Sequence, residues 1–224
     1  MSTHLGRVAV IGAHGKVARL LVPLLREQGY DVSGLVRSEA HLAELADQGA
    51  DGVLLDVEHA GVEEIADALV DHTAVVWSAG AGGGNPGRTY AVDRDAAIRS
   101  MVAAEQVGAS RYVMVSWAGS TADHGVPEDH AFFPYADAKL AADDHLRGTG
   151  LDWTILGPGA LTDAAPTGAV DLEPPYGEVS RGTVAQVVVA TLRTPETKGR
   201  FIPFADGTTP IEDALLGGSR LTGS

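Results

Sequence analysis

Tyr135 and Lys139 stand four residues apart in the segment YADAK, a spacing that places both side chains on one face of a helix. An ammonium beside a phenol stabilises the phenolate and lowers the pKa of the tyrosine, so the hydroxyl can exchange a proton with a carbonyl or alcohol oxygen. Ser116, at the end of a predicted strand, could hydrogen-bond the same oxygen. These three residues form the candidate catalytic set. In the alternative, Tyr135 packs in the core and Lys139 lies on the surface.

A glycine-rich segment near the N-terminus has the residues needed to hold a phosphate group. Gly12 permits a sharp turn after a short apolar run, and Gly15 lets the backbone approach an anion where free N–H groups and the helix dipole favour negative charge. Ala18 permits close packing of the following helix on the strand. Glycines at these positions also occur in ordinary β–α turns. Because this turn follows the first strand of a predicted βαβ unit, we favour a dinucleotide-binding turn. The residues expected around the phosphates are Gly12, Ala13, His14, Gly15, Lys16 and Val17.

Arg37 ends the second predicted strand, where NAD-binding proteins often place an acidic residue against the ribose hydroxyls. An arginine there suits a 2′-phosphate through a bidentate pair, with assistance from Lys16, so NADP(H) is favoured over NAD(H). The alternative is a solvated surface arginine. Asp56 follows the third strand and could accept a hydrogen bond from the adenine amino group, with Val57 near the ring. It could equally cap the entry to a helix.

The elements that must position these residues alternate along the chain. Predicted strands cover residues 7–11, 31–36, 52–55, 74–77, 112–116, 153–156 and 200–203, and predicted helices cover 16–28, 39–48, 62–70, 93–107, 135–147 and 184–192. Alternating units whose strands are apolar on both faces indicate an α/β protein with a doubly wound parallel sheet, a Rossmann-like fold.

Two long irregular stretches, 79–88 and 117–134, follow the carboxyl ends of strands, where such sheets bind ligands. The second stretch contains His124, His130, Phe132 and Phe133. These side chains could line a substrate pocket, or they could pack on the sheet edge as a lid. The pair Asp143-Asp144 in the next helix is interpreted as a solvated helix face.

Composition excludes several classes of protein. The 224 residues include 16 Lys and Arg against 30 Asp and Glu, a net charge of −14, which argues against nucleic acid or anionic membrane as a partner. Residues 1–37 are locally basic, so a phosphate ligand remains compatible. The absence of Cys excludes disulfides and thiolate chemistry, and the scattered histidines predict no metal site. Because no signal peptide or membrane-length apolar run is visible, we expect a cytoplasmic monomer or homodimer that acts on a small molecule.

These motifs together resemble an atypical short-chain dehydrogenase/reductase of the NmrA-like or NAD(P)H-binding type, over about residues 7–204. The resemblance rests further on the segments 78–80, 90–93, 108–116, 151–159 and 179–185. It implies one NAD(P)-binding Rossmann domain over residues 1–224, with a small C-terminal substrate-side lobe from about residue 157. The cofactor contacts that it adds are Ser78, Ala79, Gly80, Lys139 and Pro158.

The resemblance implies an NADP(H)-dependent oxidoreductase that transfers hydride to a small carbonyl, quinone or flavin-like acceptor. Ser116 would orient the acceptor oxygen, Tyr135 would be the acid/base, and Lys139 would hold the ribose and tune Tyr135. Two alternatives stay open: a non-catalytic NADP(H) sensor that regulates a partner, and a reductase in which Tyr135 is incidental. The chain departs from the family in three places. Ala18 stands where many relatives have a third Gly, which is a conservative change. Gly157 stands where relatives often have Arg, and the short segment after Leu161 argues against a nucleotide-sugar substrate.

Overall fold

The computed structural model describes residues 5–82 and 85–217 as strands and helices in near-regular alternation. Its strands are β1 (Arg7–Ile11), β2 (Asp31–Val36), β3 (Asp51–Leu54), β4 (Ala74–Trp77), β5 (Arg111–Val115), β6 (Asp152–Pro158), β7 (Ala160–Thr162), β8 (Ala169–Asp171), β9 (Glu178–Ser180), β10 (Arg200–Asp206) and β11 (Thr209–Pro210). Its α-helices are α1 (Ala18–Glu27), α2 (Leu42–Asp47), α3 (Val62–Leu69), α4 (Pro86–Thr89), α5 (Ala97–Val107), α6 (Phe133–Arg147), α7 (Arg181–Arg193) and α8 (Ile211–Gly217). A π-helical segment, Tyr90–Ala96, joins α4 to α5, and short 3₁₀ turns cover Glu39–His41 and Pro195–Thr197.

The main sheet has the order β11-β8-β10-β6-β5-β4-β1-β2-β3. The run from β3 to β10 is parallel throughout, whereas β8 pairs antiparallel with both β10 and β11. β7 and β9 form a separate parallel pair. The predicted Rossmann-like fold is therefore confirmed. The strand order reverses between β1 and β4, and this switch point is where open α/β sheets bind ligands.

Apolar side chains cover both faces of the sheet, as the apolar strands predict. On one face the buried side chains of α1 and α7, such as Leu21 and Val188, pack against the strands. On the other face α3, α5 and α6 contribute Ile65, Met101 and Leu146. Because both faces are covered, the open surface at the end of the sheet is made by the loops that follow the strands. No helix among the described residues is long and apolar enough to cross a membrane.

The helix predicted over 93–107 begins earlier, at Pro86, inside the stretch that was predicted to be a loop. The side chain of Asn85 caps it by accepting the Arg88 N–H at 3.1 Å, and Pro86 occupies its first turn. An Asn followed by Pro is a recognised start signal, so the sequence contained this information. Gly83 and Gly84 of the same stretch lie outside the described residues.

Several short elements after residue 158 were not predicted. β7, β8, β9 and β11 have only two or three residues each, too few for a periodic pattern, and α8 closes the described chain. α7 begins at Arg181, three residues before the prediction, because the Ser180 hydroxyl accepts the Thr183 N–H at 2.9 Å and caps the helix.

Candidate functional site

A cleft of about 250 Å³ opens at the switch point, between the loops that follow β1, β2, β3 and β4. The structure places most of the predicted cofactor residues on its wall. Those that line it are Gly12, His14, Gly15, Arg37, Asp56, Val57, Ser78, Ala79 and Gly80. The other five lie outside the lining: Ala13, Lys16, Val17, Lys139 and Pro158.

The glycine-rich turn is held against the loop after β4. Gly12 has φ +81°, and a Cβ built on it would lie 2.6 Å from the Cα of Ala79, so only glycine fits there. Within the described part of the chain, the backbone N–H groups of His14, Lys16 and Val17 have no hydrogen-bond acceptor. Unsatisfied N–H groups at the start of α1 fit the phosphates of a dinucleotide.

Arg37 and Asp56 lie at the end of the cleft formed by the loops after β2 and β3. The guanidinium of Arg37 is exposed and makes no hydrogen bond or ion pair with any described residue, so it is available to a ligand. Asp56 accepts the Glu58 N–H at 3.1 Å and lies 2.9 Å from Nδ1 of His59. Asp56 does not cap a helix, since α3 begins after Gly61. Desolvation opposes ionisation of Asp56, but these hydrogen bonds hold the pKa of its carboxyl below the ordinary value.

Two side chains of the glycine-rich turn take different directions. The ring of His14 lines the cleft and stacks on His41 with centroids 3.4 Å apart, while Nε2 lies 3.3 Å from Glu44. The ammonium of Lys16 lies 3.6 Å from Asp163, outside the cleft. The expected assistance of the Lys16 side chain to Arg37 stays a prediction.

An ion pair that was not predicted crosses the wall of the cleft. Arg88 of α4 donates to both carboxylate oxygens of Glu58, with the shortest distance 2.8 Å, and its Nη1 donates to the Ala81 carbonyl at 3.2 Å. These hydrogen bonds lower the pKa of Glu58 and raise that of Arg88. The two residues are 30 positions apart. No local spacing in the sequence pointed to the pair.

The catalytic candidates lie beyond the cleft, at the carboxyl end of β5. Lys139 is 1% exposed, and its ammonium donates to the Val115 carbonyl at 2.9 Å, so the alternative of a surface lysine is wrong. Tyr135 is partly buried against Phe132, at a ring distance of 5.0 Å, and makes no hydrogen bond with another described side chain.

The expected lowering of the Tyr135 pKa is also wrong. Burial raises the pKa of Tyr135, and the nearby carboxylates of Asp93 and Asp143 raise it further. Lys139 does not offset this effect, because its ammonium is directed at the Val115 carbonyl and interacts with the same two carboxylates. Burial in turn lowers the pKa of Lys139, an effect that the carboxylates oppose.

Asp143 is the main site residue that the sequence analysis missed. It is fully buried, not on a solvated face, and its Oδ2 accepts the hydroxyls of Ser116 at 2.5 Å and Ser120 at 2.6 Å. Its neighbour Asp144 is exposed, as predicted for both aspartates, and it pairs with Arg147. A signal existed, because position 143 continues the four-residue spacing of 135 and 139 on the same helical face.

Asp93 connects the cleft to these residues. It is 3% exposed, and its Oδ2 accepts the Ala81 N–H at 3.0 Å, next to Gly80 of the cleft wall. Burial raises the pKa of Asp93, while Lys139 acts in the opposite direction. Asp93 therefore lies beside the cleft wall and interacts electrostatically with Lys139.

The loop over 117–132 folds its aromatic side chains towards the start of α6. The ring of Phe132 contacts Trp117 edge-on at 5.2 Å, and His124 lies 5.8 Å from Phe133. Ala118 N–H donates to the carbonyl of Pro158 at 2.9 Å, so Pro158 anchors this loop. Both interpretations of this loop, a lining for a substrate pocket and a lid packed on the sheet edge, stay predictions.

A side chain at Gly157, where the family resemblance leads one to expect Arg, would force its neighbours to shift. A Cβ there would lie 2.9 Å from the ring of Phe201 and 3.1 Å from the Trp117 carbonyl. Those contacts fill the space that an arginine would need.

Comparisons with known proteins agree with this geometry. A family model described as NAD(P)H-binding matches residues 12–195. The uncharacterized sugar epimerase YhfK of Bacillus subtilis is 36% identical, over 93% of this chain and 98% of its own length. A structure from Bacillus halodurans, named for a proposed NAD-dependent epimerase/dehydratase, has a TM-score of 0.86 and 33% identity, and the match covers 95% of this chain and 99% of that one. The oxidoreductase ylbE of Lactococcus lactis has a TM-score of 0.83 and 27% identity, with 94% and 95% covered.

Proposed function

This chain belongs to the NAD(P)H-binding family, and from that premise we propose that it is an NADP(H)-dependent oxidoreductase that reduces a small carbonyl, quinone or flavin-like acceptor. The observation that carries the proposal is the buried polar set at the end of β5. Asp93, which accepts the Ala81 N–H beside the cleft, interacts electrostatically with Lys139 of that set. Burying several ionisable groups costs folding free energy. Clusters of buried ionisable groups are therefore found most often at active sites.

The cleft supplies the binding half of the function. The unsatisfied N–H groups at the start of α1 would hold the pyrophosphate, and Arg37 would pair with a 2′-phosphate. Ser78, Ala79 and Gly80 would lie along the path from the pyrophosphate towards β5. When bound, a reduced nicotinamide supplies a hydride to the acceptor.

Tyr135 would supply the proton to the acceptor oxygen. A phenol is protonated at neutral pH, so Tyr135 holds the proton that reduction consumes. Donation leaves a phenolate that burial and the carboxylates of Asp93 and Asp143 destabilise, so a proton from solvent would have to restore the phenol before the next turnover.

A binding titration followed by an acceptor screen tests the proposed function. Purified protein is titrated with NADPH and with NADH, and oxidation of the preferred nucleotide is then followed by its absorbance with carbonyl, quinone and flavin acceptors. Tight NADPH binding with acceptor-dependent oxidation supports the reductase. Tight binding without oxidation by any acceptor would support the sensor instead.

Replacing Arg37 with Ala is expected to weaken NADPH binding by about 10- to 100-fold, because a charged hydrogen-bonded pair contributes about 1.5–3 kcal/mol. Binding of NADH, which lacks the 2′-phosphate, should stay nearly unchanged. The measurement is the ratio of the two dissociation constants at fixed salt concentration. Arg26→Ala is the control, since Arg26 pairs with Asp31 away from the cleft. An equal loss for both nucleotides would contradict this role of Arg37.

A further inference from the structure

The position of the single proton on the Ser116 hydroxyl decides what this residue can do in the site. The hydroxyl donates to Oδ2 of Asp143 at 2.5 Å. An ionised carboxylate only accepts hydrogen bonds, so Ser116 then directs its hydrogen away from the acceptor and presents lone pairs instead. In that state Ser116 cannot donate to a carbonyl oxygen.

Ser120 makes the arrangement asymmetric. It donates to the same Oδ2 at 2.6 Å and is completely buried, and no other acceptor for its hydroxyl lies among the described residues. Ser116 is 4% exposed and stands at the carboxyl end of β5. If the carboxyl group takes up a proton on Oδ2, Ser120 can continue to donate to that oxygen, whereas Ser116 can accept the new O–H and turn its own hydrogen outwards.

Resting on the proposed function, we propose that Asp143 is a positioning residue whose protonation turns Ser116 from a hydrogen-bond acceptor into a donor towards the substrate oxygen. With Asp143 protonated, Ser116 and Tyr135 both donate to the carbonyl oxygen of an acceptor, as reduction requires. With Asp143 ionised, Ser116 can only accept, which suits an alcohol. Asp143 itself touches neither substrate nor cofactor; it acts through Ser116.

The surroundings of Asp143 are suited to such a change of state. Its Oδ1 is buried and has no hydrogen-bond partner among the described residues, which disfavours the ionised form. Burial raises the pKa of Asp143, while the charge of Lys139 and the hydrogen bonds from the two serines oppose this. The titratable and charged groups that act on it or share its lysine are Tyr135, Lys139 and Arg147 of α6, Asp93 of the π-helical segment and Tyr112 of β5.

A titration that does not depend on turnover tests the link between Asp143 and Ser116. Aspartate side-chain carboxyl carbons are labelled with ¹³C, and their NMR shifts are followed against pH in the wild type, Asp143→Asn and Ser116→Ala. We expect one resonance that is absent from Asp143→Asn, titrates above the ordinary aspartate range and moves in Ser116→Ala. The proposal would be overturned if this resonance titrated in or below that range, or if its titration were the same in Ser116→Ala as in the wild type.

Kinetics test the consequence for the reaction. In the wild type, reductive kcat/KM should fall as pH rises through the Asp143 titration, because the protonated form is the active one. Asp143→Asn is neutral at every pH and can donate an amide N–H to Ser116, so it should lose this limb and keep its low-pH kcat/KM as the pH rises. Asp144→Asn is the matched control, since Asp144 is the next residue but is exposed and paired with Arg147. It should keep the wild-type profile.

Ser120→Ala keeps the test decisive if Asp143→Asn does not fold. Removing a hydrogen bond to the ionised carboxylate raises its pKa, so the falling limb should move to higher pH. A purely structural Asp143 would instead lower activity equally at every pH, and an unmoved limb would refute the proposal. If the NMR result is as expected but no acceptor is reduced, the proposed reductase activity is wrong. The proposed control of the Ser116 hydroxyl by Asp143 protonation would then still be supported.

Discussion

Tyr135→Phe is expected to lower kcat for the reduction by about 100- to 10,000-fold, the usual contribution of a positioned general acid. The substitution removes only the hydroxyl, so the phenyl ring can keep its packing on Phe132. The affinity for NADPH should stay nearly constant, since Tyr135 does not line the cleft. Steady-state turnover and a separate binding titration measure the two quantities.

The control for this variant is Tyr30→Phe. Tyr30 is also buried, but it precedes β2, at the opposite end of the sheet. Its loss should leave kcat unchanged. If Tyr135→Phe turned over every accepted substrate at the wild-type rate, Tyr135 would be incidental, and a mechanism that uses only the geometry of cofactor and substrate would replace the one proposed.

Gly12→Ala is expected to weaken NADPH binding by about 100-fold or more, the result of losing several backbone contacts to phosphate at about 1 kcal/mol or more each. The new Cβ would lie 2.6 Å from Cα and 2.7 Å from N of Ala79, and backbone atoms cannot move aside cheaply. The glycine-rich turn must separate from the loop after β4, which displaces the N–H groups of the turn. The melting temperature should fall as well.

Gly108→Ala separates the clash from the backbone strain. Gly108 ends α5 with φ +74°, close to the value at Gly12, but nothing lies within 4 Å of an added Cβ. It should lose about 1 kcal/mol of stability from the unfavourable φ and bind NADPH normally. If both variants bound NADPH equally well, the close approach of Gly12 to Ala79 would not be what shapes the cleft.

The fold and most of the residues that line the cleft could be predicted because their signals are local. Apolar strands alternating with amphipathic helices indicate a parallel sheet, and Gly12 marks the turn whose φ other residues rarely adopt. Short strands such as β7 and β9 escaped prediction, since three residues carry no period. The start of α4 was not predicted, although Asn85 and Pro86 form a recognised N-terminal capping signal.

The pKa of Tyr135 could not be predicted from its spacing to Lys139. The spacing of four residues puts both on one helical face, but it does not say where the ammonium points. In the structure the Val115 carbonyl, from a neighbouring strand, accepts a hydrogen bond from the Lys139 ammonium, and two carboxylates act on the phenol. The direction of the shift follows from burial, which is a property of the packed chain.

By itself, the sequence determined the alternation of strands and helices, the position of the glycine-rich turn and the helical face shared by Tyr135 and Lys139, because each depends on residues within a few positions of one another. Only the tertiary structure decided that Asp143 meets Ser116 and Ser120, 27 and 23 positions earlier, and that Arg88 reaches Glu58, 30 positions earlier. Helical periodicity is the same for a solvated and a buried aspartate. Packing against β5 and its following loop excludes water from Asp143, and that exclusion gives its carboxyl group the serine partners and the raised pKa.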